Sequence, residues 1–315
     1  MQPCLVYTIG ELLVEIMRPE TNVPLSVPAR FEGPFPSGAP AIFIDAVAKL
    51  GVPAGIVGAV GRDAFGRCLV DRLRADGVDT SQVAESEERT TGMAFVTYSD
   101  DGSRDFLFHM RHSAAVDIPT PRDYGFLDGV RALHVSGTAL TINDSIRDIV
   151  YRAVDVVKAG GGFVTFDPNL RPELAASGAW KTWYAPVLAR TDVLLPSGEE
   201  LEWLAGVDDP EEAVRRLHEA GIRIVFRKMG EAGSAVYADG RQAAFAPGFA
   251  VEAVDPTGAG DCYSAGVVYG MLQGWSWEKI ASFANAVGAL STTKLGPMEG
   301  ACDLDTALAF IDARS

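Results

Sequence analysis

The chain has 315 residues, with 27 Lys and Arg against 42 Asp and Glu, for a formal net charge of −15. That balance argues against nucleic acid as a partner, since such binding draws on clustered basic side chains, but a small anion held by backbone N–H groups at a helix N-terminus remains open. The 48% hydrophobic and 22% charged content fits a folded soluble protein. No apolar run is long enough to cross a bilayer, no charged leader precedes an apolar core, and Cys4, Cys68, Cys262 and Cys302 form no CxxC pair; the expectation is a cytoplasmic protein with free thiols and no membrane partner.

In chain order, "CLVYTIG" predicts a first strand and "AIFIDAVAKLG" a helix closed by Gly51. "AGIVGAV" reads as the next strand and "AFGRCLVDRLRADG" as the next helix. The same alternation returns in "ALHVSG", "SIRDIVYRAVDVVKAG", "GFVTFD", "DVLLP", "PEEAVRRLHEAG" and "IRIVFR". Apolar strands between amphipathic helices predict an α/β fold whose parallel sheet is covered on both faces. Two segments break the rhythm: residues 12–36 and 91–110 have the look of antiparallel strands, the second pair turning at Asp101-Gly102. They read either as a small sheet acting as a lid or as surface hairpins.

Further on, "VDPTGAGDCYSAG" (254–266) sets Gly258, Ala259 and Gly260 before Asp261, where an apolar helical stretch begins. Glycine lets backbone N–H groups approach an anion, and a new helix leaves its first N–H groups unpaired. From this stretch alone Asp261 is either a helix N-cap or a base at the edge of a phosphate cradle. In "PSGAP", Gly38 and Ala39 can bring backbone close to a ligand ahead of a helix.

Taken together, "FPSGAPAIFIDAVAKLG", "VGRDAFG", "FDPNLR" and "DPTGAGDCYSAG" resemble the motifs of the ribokinase family, also called PfkB-type carbohydrate kinases, over nearly the whole chain. The resemblance implies one domain over residues 1–315, a doubly wound, mostly parallel sheet flanked by helices, and a β-sheet lid. It implies ATP and Mg2+ as cofactors, Asp261 as catalytic base, and Gly258, Ala259 and Gly260 as the anion hole. Asp255 and Thr257 match positions that bind a monovalent cation such as K+ in some members, unless Asp255 only orders the loop. On the nucleotide side the matching positions are Ser197, Lys228, Gly230, Gly233 and Asn285, with a plain strand–turn–strand as the alternative around Gly230. Glu200 matches a residue that orients water around Mg2+, or is an ordinary first-turn helix glutamate.

On the sugar side, Glu15 falls where many members carry a sugar-binding aspartate, unless it faces solvent. Gly38 and Ala39 fall in the N-terminal motif, where the family's double glycine and later asparagine are replaced by Ser37-Gly38 and Ile42. Ile42 cannot hydrogen-bond a hydroxyl. Asn169 and Arg171 belong near the sugar or the phosphates, or form an Asx turn with a surface arginine. Arg111 resembles a substrate-side arginine of 2-keto-3-deoxygluconate kinases, suited to a carboxylate, or is a lid surface residue. The expected activity is transfer of the γ-phosphate of ATP to a primary hydroxyl of a ketohexose. Tagatose stands ahead of fructose, because "GPFPSGAPAIFIDAVAKLG" and "GELLVEIM" are similar to tagatose kinases. The alternatives are 2-keto-3-deoxygluconate as substrate, or a non-catalytic binder on the same fold. A homodimer paired through the lid strands is the expected assembly.

Overall fold

The computed structural model describes residues 4–100, 104–170 and 179–314. The chain enters through β1 (Val6–Ile9), buried at every position, then leaves the main layer for β2 (Leu13–Met17) and β3 (Glu32–Ser37). It returns through α1 (Ala39–Lys49), β4 (Ala54–Gly61), α2 (Ala64–Ala75) and β5 (Val78–Ser86), and departs again for β6 (Gly92–Tyr98) and β7 (Arg104–His109). Strand and helix then alternate: β8 (Ala132–Ser136), α3 (Gly137–Ile142), α4 (Asp144–Ala159), β9 (Phe163–Asp167), α5 (Trp180–Leu188), β10 (Val193–Leu194), α6 (Glu200–Ala205), α7 (Pro210–Glu219) and β11 (Ile224–Lys228). The hairpin strands β12 (Ser234–Ala238) and β13 (Arg241–Ala246) precede the closing helices α8 (Ala259–Leu272), α9 (Trp277–Ser291) and α10 (Leu304–Asp312).

The main sheet runs β13-β12-β11-β10-β9-β8-β1-β4-β5 and is parallel from β11 to β5, with β12 and β13 antiparallel at one edge. Its apolar strands divide two cores. Val135, Val164 and Phe166 pack beneath Ile149 and Val154 of α4 on one face. Val6 and Ile56 pack beneath Ile44, Val47, Val268 and Phe283 on the other. Side-chain caps fix the helix starts: Asp63 accepts from the N–H groups of Phe65 and Gly66, and Asn143 from Ile146, each such cap stabilising by about 1 kcal/mol.

After β1 the chain builds outward through β4 and β5; after β8 it builds the other way. The boundary between β1 and β8 is therefore the point where strand order reverses, and ligands of open α/β sheets sit beyond the carboxyl ends of the strands at such a point. Gly10, Ser136, Asp167 and Lys228 all stand at those ends.

The second sheet has the order β3-β2-β6-β7. As expected, β2/β3 and β6/β7 are antiparallel pairs, but β2 and β6 join them in parallel. Within 12–36 only residues 13–17 and 32–36 are strand, and the Asp101-Gly102 turn lies outside the described residues. No helix among the described residues is long and apolar enough to cross a membrane.

Candidate active site

Helix α8 begins at Gly258, whose φ of 82° is left-handed and whose missing Cβ would stand 2.7 Å from the Pro297 carbonyl oxygen. Only glycine takes that backbone without strain. No side-chain hydrogen bond caps the helix, so its N-terminus faces the cleft with the partial positive charge that favours an anion. The N-cap position thus belongs to Gly258. Asp261 lies in the first turn, 7% exposed, and accepts a hydrogen bond of 3.3 Å from Asn169 Nδ2.

This turn separates two pockets. Gly258, Asp261 and Thr257 face a small one of about 60 Å³, lined also by Glu11, Glu15, Ser37, Gly38, Ala39, Ile42 and Thr138 and roofed by Phe106 and Phe108 of the second sheet and by Met110 just beyond it. Ala259 and Gly260 face a larger one of about 620 Å³, with Ser197, Lys228, Gly230, Gly233 and Asn285 in its wall. The larger volume is that of a nucleotide-sized ligand site. Gly233, with φ 101°, would drive a Cβ to 2.1 Å from the Ala246 carbonyl oxygen; backbone is thus packed tightly along this wall. Asn285 donates to the carbonyls of Ala246 (3.0 Å) and Pro247 (3.1 Å), shaping the same wall. The stretch around Gly230 is both the strand–turn–strand between β11 and β12 and part of this pocket.

Behind the turn, Lys228 Nζ pairs with Asp167 Oδ2 at 2.5 Å, and the ammonium reaches to 3.4 Å from where a Cβ on Gly260 would stand. The Ser264 hydroxyl also donates to Asp167, at 3.2 Å. Asp167 Oδ1 accepts from the Asn169 N–H, whose φ of 40° makes the sharp turn that presents the amide to Asp261. Glu200 accepts the N–H groups of Leu170 (2.6 Å) and Ser197 (2.7 Å), tying the ends of β9 and β10 together. Burial, with the Asp167 charge nearby, pushes its carboxyl above the usual range. His134 on β8 is fully buried, stacked on Phe43 and bonded through Nδ1 to Thr165 Oγ1 at 2.8 Å; burial lowers its pKa to about 3.

In the small pocket, Glu15 Oε1 accepts from the Ser37 hydroxyl (2.7 Å) and Glu11 Oε1 from Thr138 (2.6 Å). Both carboxylates are at least 95% buried. The solvent-facing reading of Glu15 is excluded. Asp255 is fully buried and accepts from the Thr257 N–H, the Tyr98 hydroxyl and the Gly296 N–H; it orders the loop. Arg111 is exposed beyond β7 and in neither pocket wall, and Arg171 lies outside the described residues. The sequence did not point to Glu11, Thr138, Phe106, Phe108 or Met110, nor to the pairing of Asp167 with Lys228, though each of those two stands in a motif that the resemblance placed near the ligands.

A family model for pfkB family carbohydrate kinases matches residues 5–303. The chain is 33% identical over 302 residues to "Fructokinase-1" of Oryza sativa subsp. japonica, covering 93% of each chain. It is 31% identical to the "2-dehydro-3-deoxygluconokinase" of Bacillus subtilis (strain 168), covering 85% of this chain and 84% of that one. An E. coli protein provisionally named Ribokinase II, solved in complex with ATP and Mg2+, superimposes with a TM-score of 0.92 at 39% identity, over 98% of this chain and 99% of that one. With its doubly wound fold, its separate small sheet and this match along its length, the chain belongs to the pfkB family of carbohydrate kinases, phosphotransferases whose acceptor is a sugar hydroxyl.

Proposed function

We propose that this protein is an ATP-dependent kinase of a neutral ketohexose, built as one catalytic domain with the small sheet as its lid. The observation that carries the reading is the placement of Asp261 and its glycine turn between a nucleotide-sized pocket and a small pocket lined by hydrogen-bonding oxygens. The glycine-lined wall and the open N-terminus of α8 fit MgATP, which supplies the transferable γ-phosphoryl group. No cluster of three or more His, Cys, Asp or Glu able to hold a metal occurs among the described residues. Magnesium would therefore be held mostly by phosphates and water, with Glu200 and Asp167 facing its hydration shell, as suits an ion that dehydrates reluctantly.

The chain's own groups divide the work. Asp261, steered by Asn169, takes the proton of the sugar's primary hydroxyl. The N–H groups of the Gly258–Gly260 turn and the Lys228 ammonium meet the charge that accumulates on the transferring oxygens. Glu11 and Glu15 accept sugar hydroxyls, while Leu13, Ile42 and the roof of Phe106, Phe108 and Met110 exclude water from the acceptor site.

Neutral sugars are favoured over sugar acids because Glu11, Glu15 and Asp261 put three buried carboxylates in the wall of the small pocket. A substrate carboxylate there would meet like charge. Fructose and tagatose both fit this reading; the fructokinase relative favours fructose. A coupled ADP-release assay over fructose, tagatose, other neutral hexoses and 2-keto-3-deoxygluconate tests it. The expected result is a kcat/KM for one ketohexose at least about tenfold above that for the sugar acid, and the reverse order refutes it. Because both Asp255 oxygens are already hydrogen-bonded, replacing K+ by Na+ is expected to lower turnover by less than about tenfold. We place the protein in the cytoplasm and, through the outer face of the small sheet, in a homodimer.

A further inference from the structure

The tip of the β6/β7 hairpin touches the glycine loop through one ladder pair. Tyr98 and Arg104 are directly opposed. The Tyr98 hydroxyl donates to Asp255 Oδ1 at 2.8 Å and lies 3.0 Å from Thr257 Oγ1, while Arg104 Nη1 donates to that same threonine oxygen at 3.3 Å. With Tyr98 donating to the carboxylate, the Thr257 hydroxyl is left to donate to Tyr98 and to accept from Arg104. The bonds form one chain from a cation, through two hydroxyls, to a buried anion.

Arg104 reaches the glycine loop with donors to spare. Its guanidinium bonds Thr257 and lies 5.7 Å from the Phe106 ring centroid, and no carboxylate among the described residues pairs with it. A guanidinium has five N–H donors, and the residue after Thr257 is Gly258, which opens the anion cradle. Strand periodicity puts Arg104, Phe106 and Phe108 on one face of β7, so the strand that roofs the sugar pocket also carries this cation.

Resting on the kinase reading above, we propose that Arg104 is a catalytic residue that meets the transferring phosphoryl oxygens, delivered by the small sheet and held in register by the Tyr98–Thr257–Asp255 chain. One strand thereby supplies both the Phe106 and Phe108 roof and the cation at the cradle.

The test compares wild type with Arg104→Met, which keeps the stem, and Arg104→Lys, which keeps the charge. Calorimetry with sugar present measures a non-hydrolysable ATP analogue against ADP, and kinetics measures kcat and sugar KM. Arg104→Met is expected to weaken the triphosphate by about tenfold with ADP unchanged, and to lower kcat about 100-fold with sugar KM within about threefold. Arg104→Lys recovers part of both. Equal loss of ATP-analogue and ADP affinity, or a kcat within twofold of wild type, overturns the proposal. If wild type phosphorylates no sugar, the kinase reading fails; the triphosphate-over-diphosphate comparison then still decides whether Arg104 meets the terminal phosphate.

Discussion

Asn169 illustrates how a single backbone turn sets up the proposed base. Its left-handed φ of 40° is anchored by Asp167 and aims the amide at Asp261. Asn169→Ala should lower kcat about tenfold with nucleotide KM unchanged, because it frees the rotamer of the base without touching the nucleotide pocket; steady-state kinetics reads the split. His134 makes a separate prediction. Its folded pKa, about 3, lies below the ordinary imidazole value of 6.5. A base with a depressed pKa contributes stability that is full above 6.5 and is lost as pH falls toward 3, by about 1.4 kcal/mol per pH unit in that window. Urea unfolding at stepped pH should show this slope, and His134→Gln, which cannot take up the proton, should flatten it. The sequence signalled Asp261 because a glycine run before a helix has few uses. It did not signal Glu11, because a glutamate two residues past a buried strand looks the same whether it faces water or a ligand.

At the scale of elements, Gly258 is the hinge between loop and helix. Gly258→Ala forces a Cβ to within 2.7 Å of the Pro297 oxygen at a φ that side chains rarely adopt. A loss of about 2 kcal/mol is expected, seen as a lower melting temperature, together with reduced kcat from the distorted cradle. The apolar strands of the main sheet were legible because burial on both faces leaves an unbroken hydrophobic run, as in β4. Strand β5 was not: it is an edge strand whose exposed positions carry Ser81 and Glu85, so periodicity had little to report. The parallel junction of β2 and β6 was equally hidden. The segments are far apart in sequence, and alternation fixes which side chains share a face but not which strands pair.

For the whole molecule, the second sheet has two faces with different fates. One roofs the small pocket. The other leaves Val27, Phe31 and Leu107 between 38% and 49% exposed, with Phe31 packed edge-on to Phe95. Sedimentation equilibrium is expected to show a dimer, and Leu107→Asp to shift it toward monomer by burying a charge in that interface; a wild-type monomer at all concentrations removes the dimer from the account. The division of the cleft into two pockets by the Gly258–Asp261 turn is the claim on which the rest stands. Its most direct test is the sugar-dependent release of ADP by Asp261→Asn beside wild type, with ATP affinity measured on both. The account predicts a kcat lowered by about 10³-fold at ATP affinity within about threefold of wild type. An Asp261→Asn protein that phosphorylates sugar near the wild-type rate would contradict it.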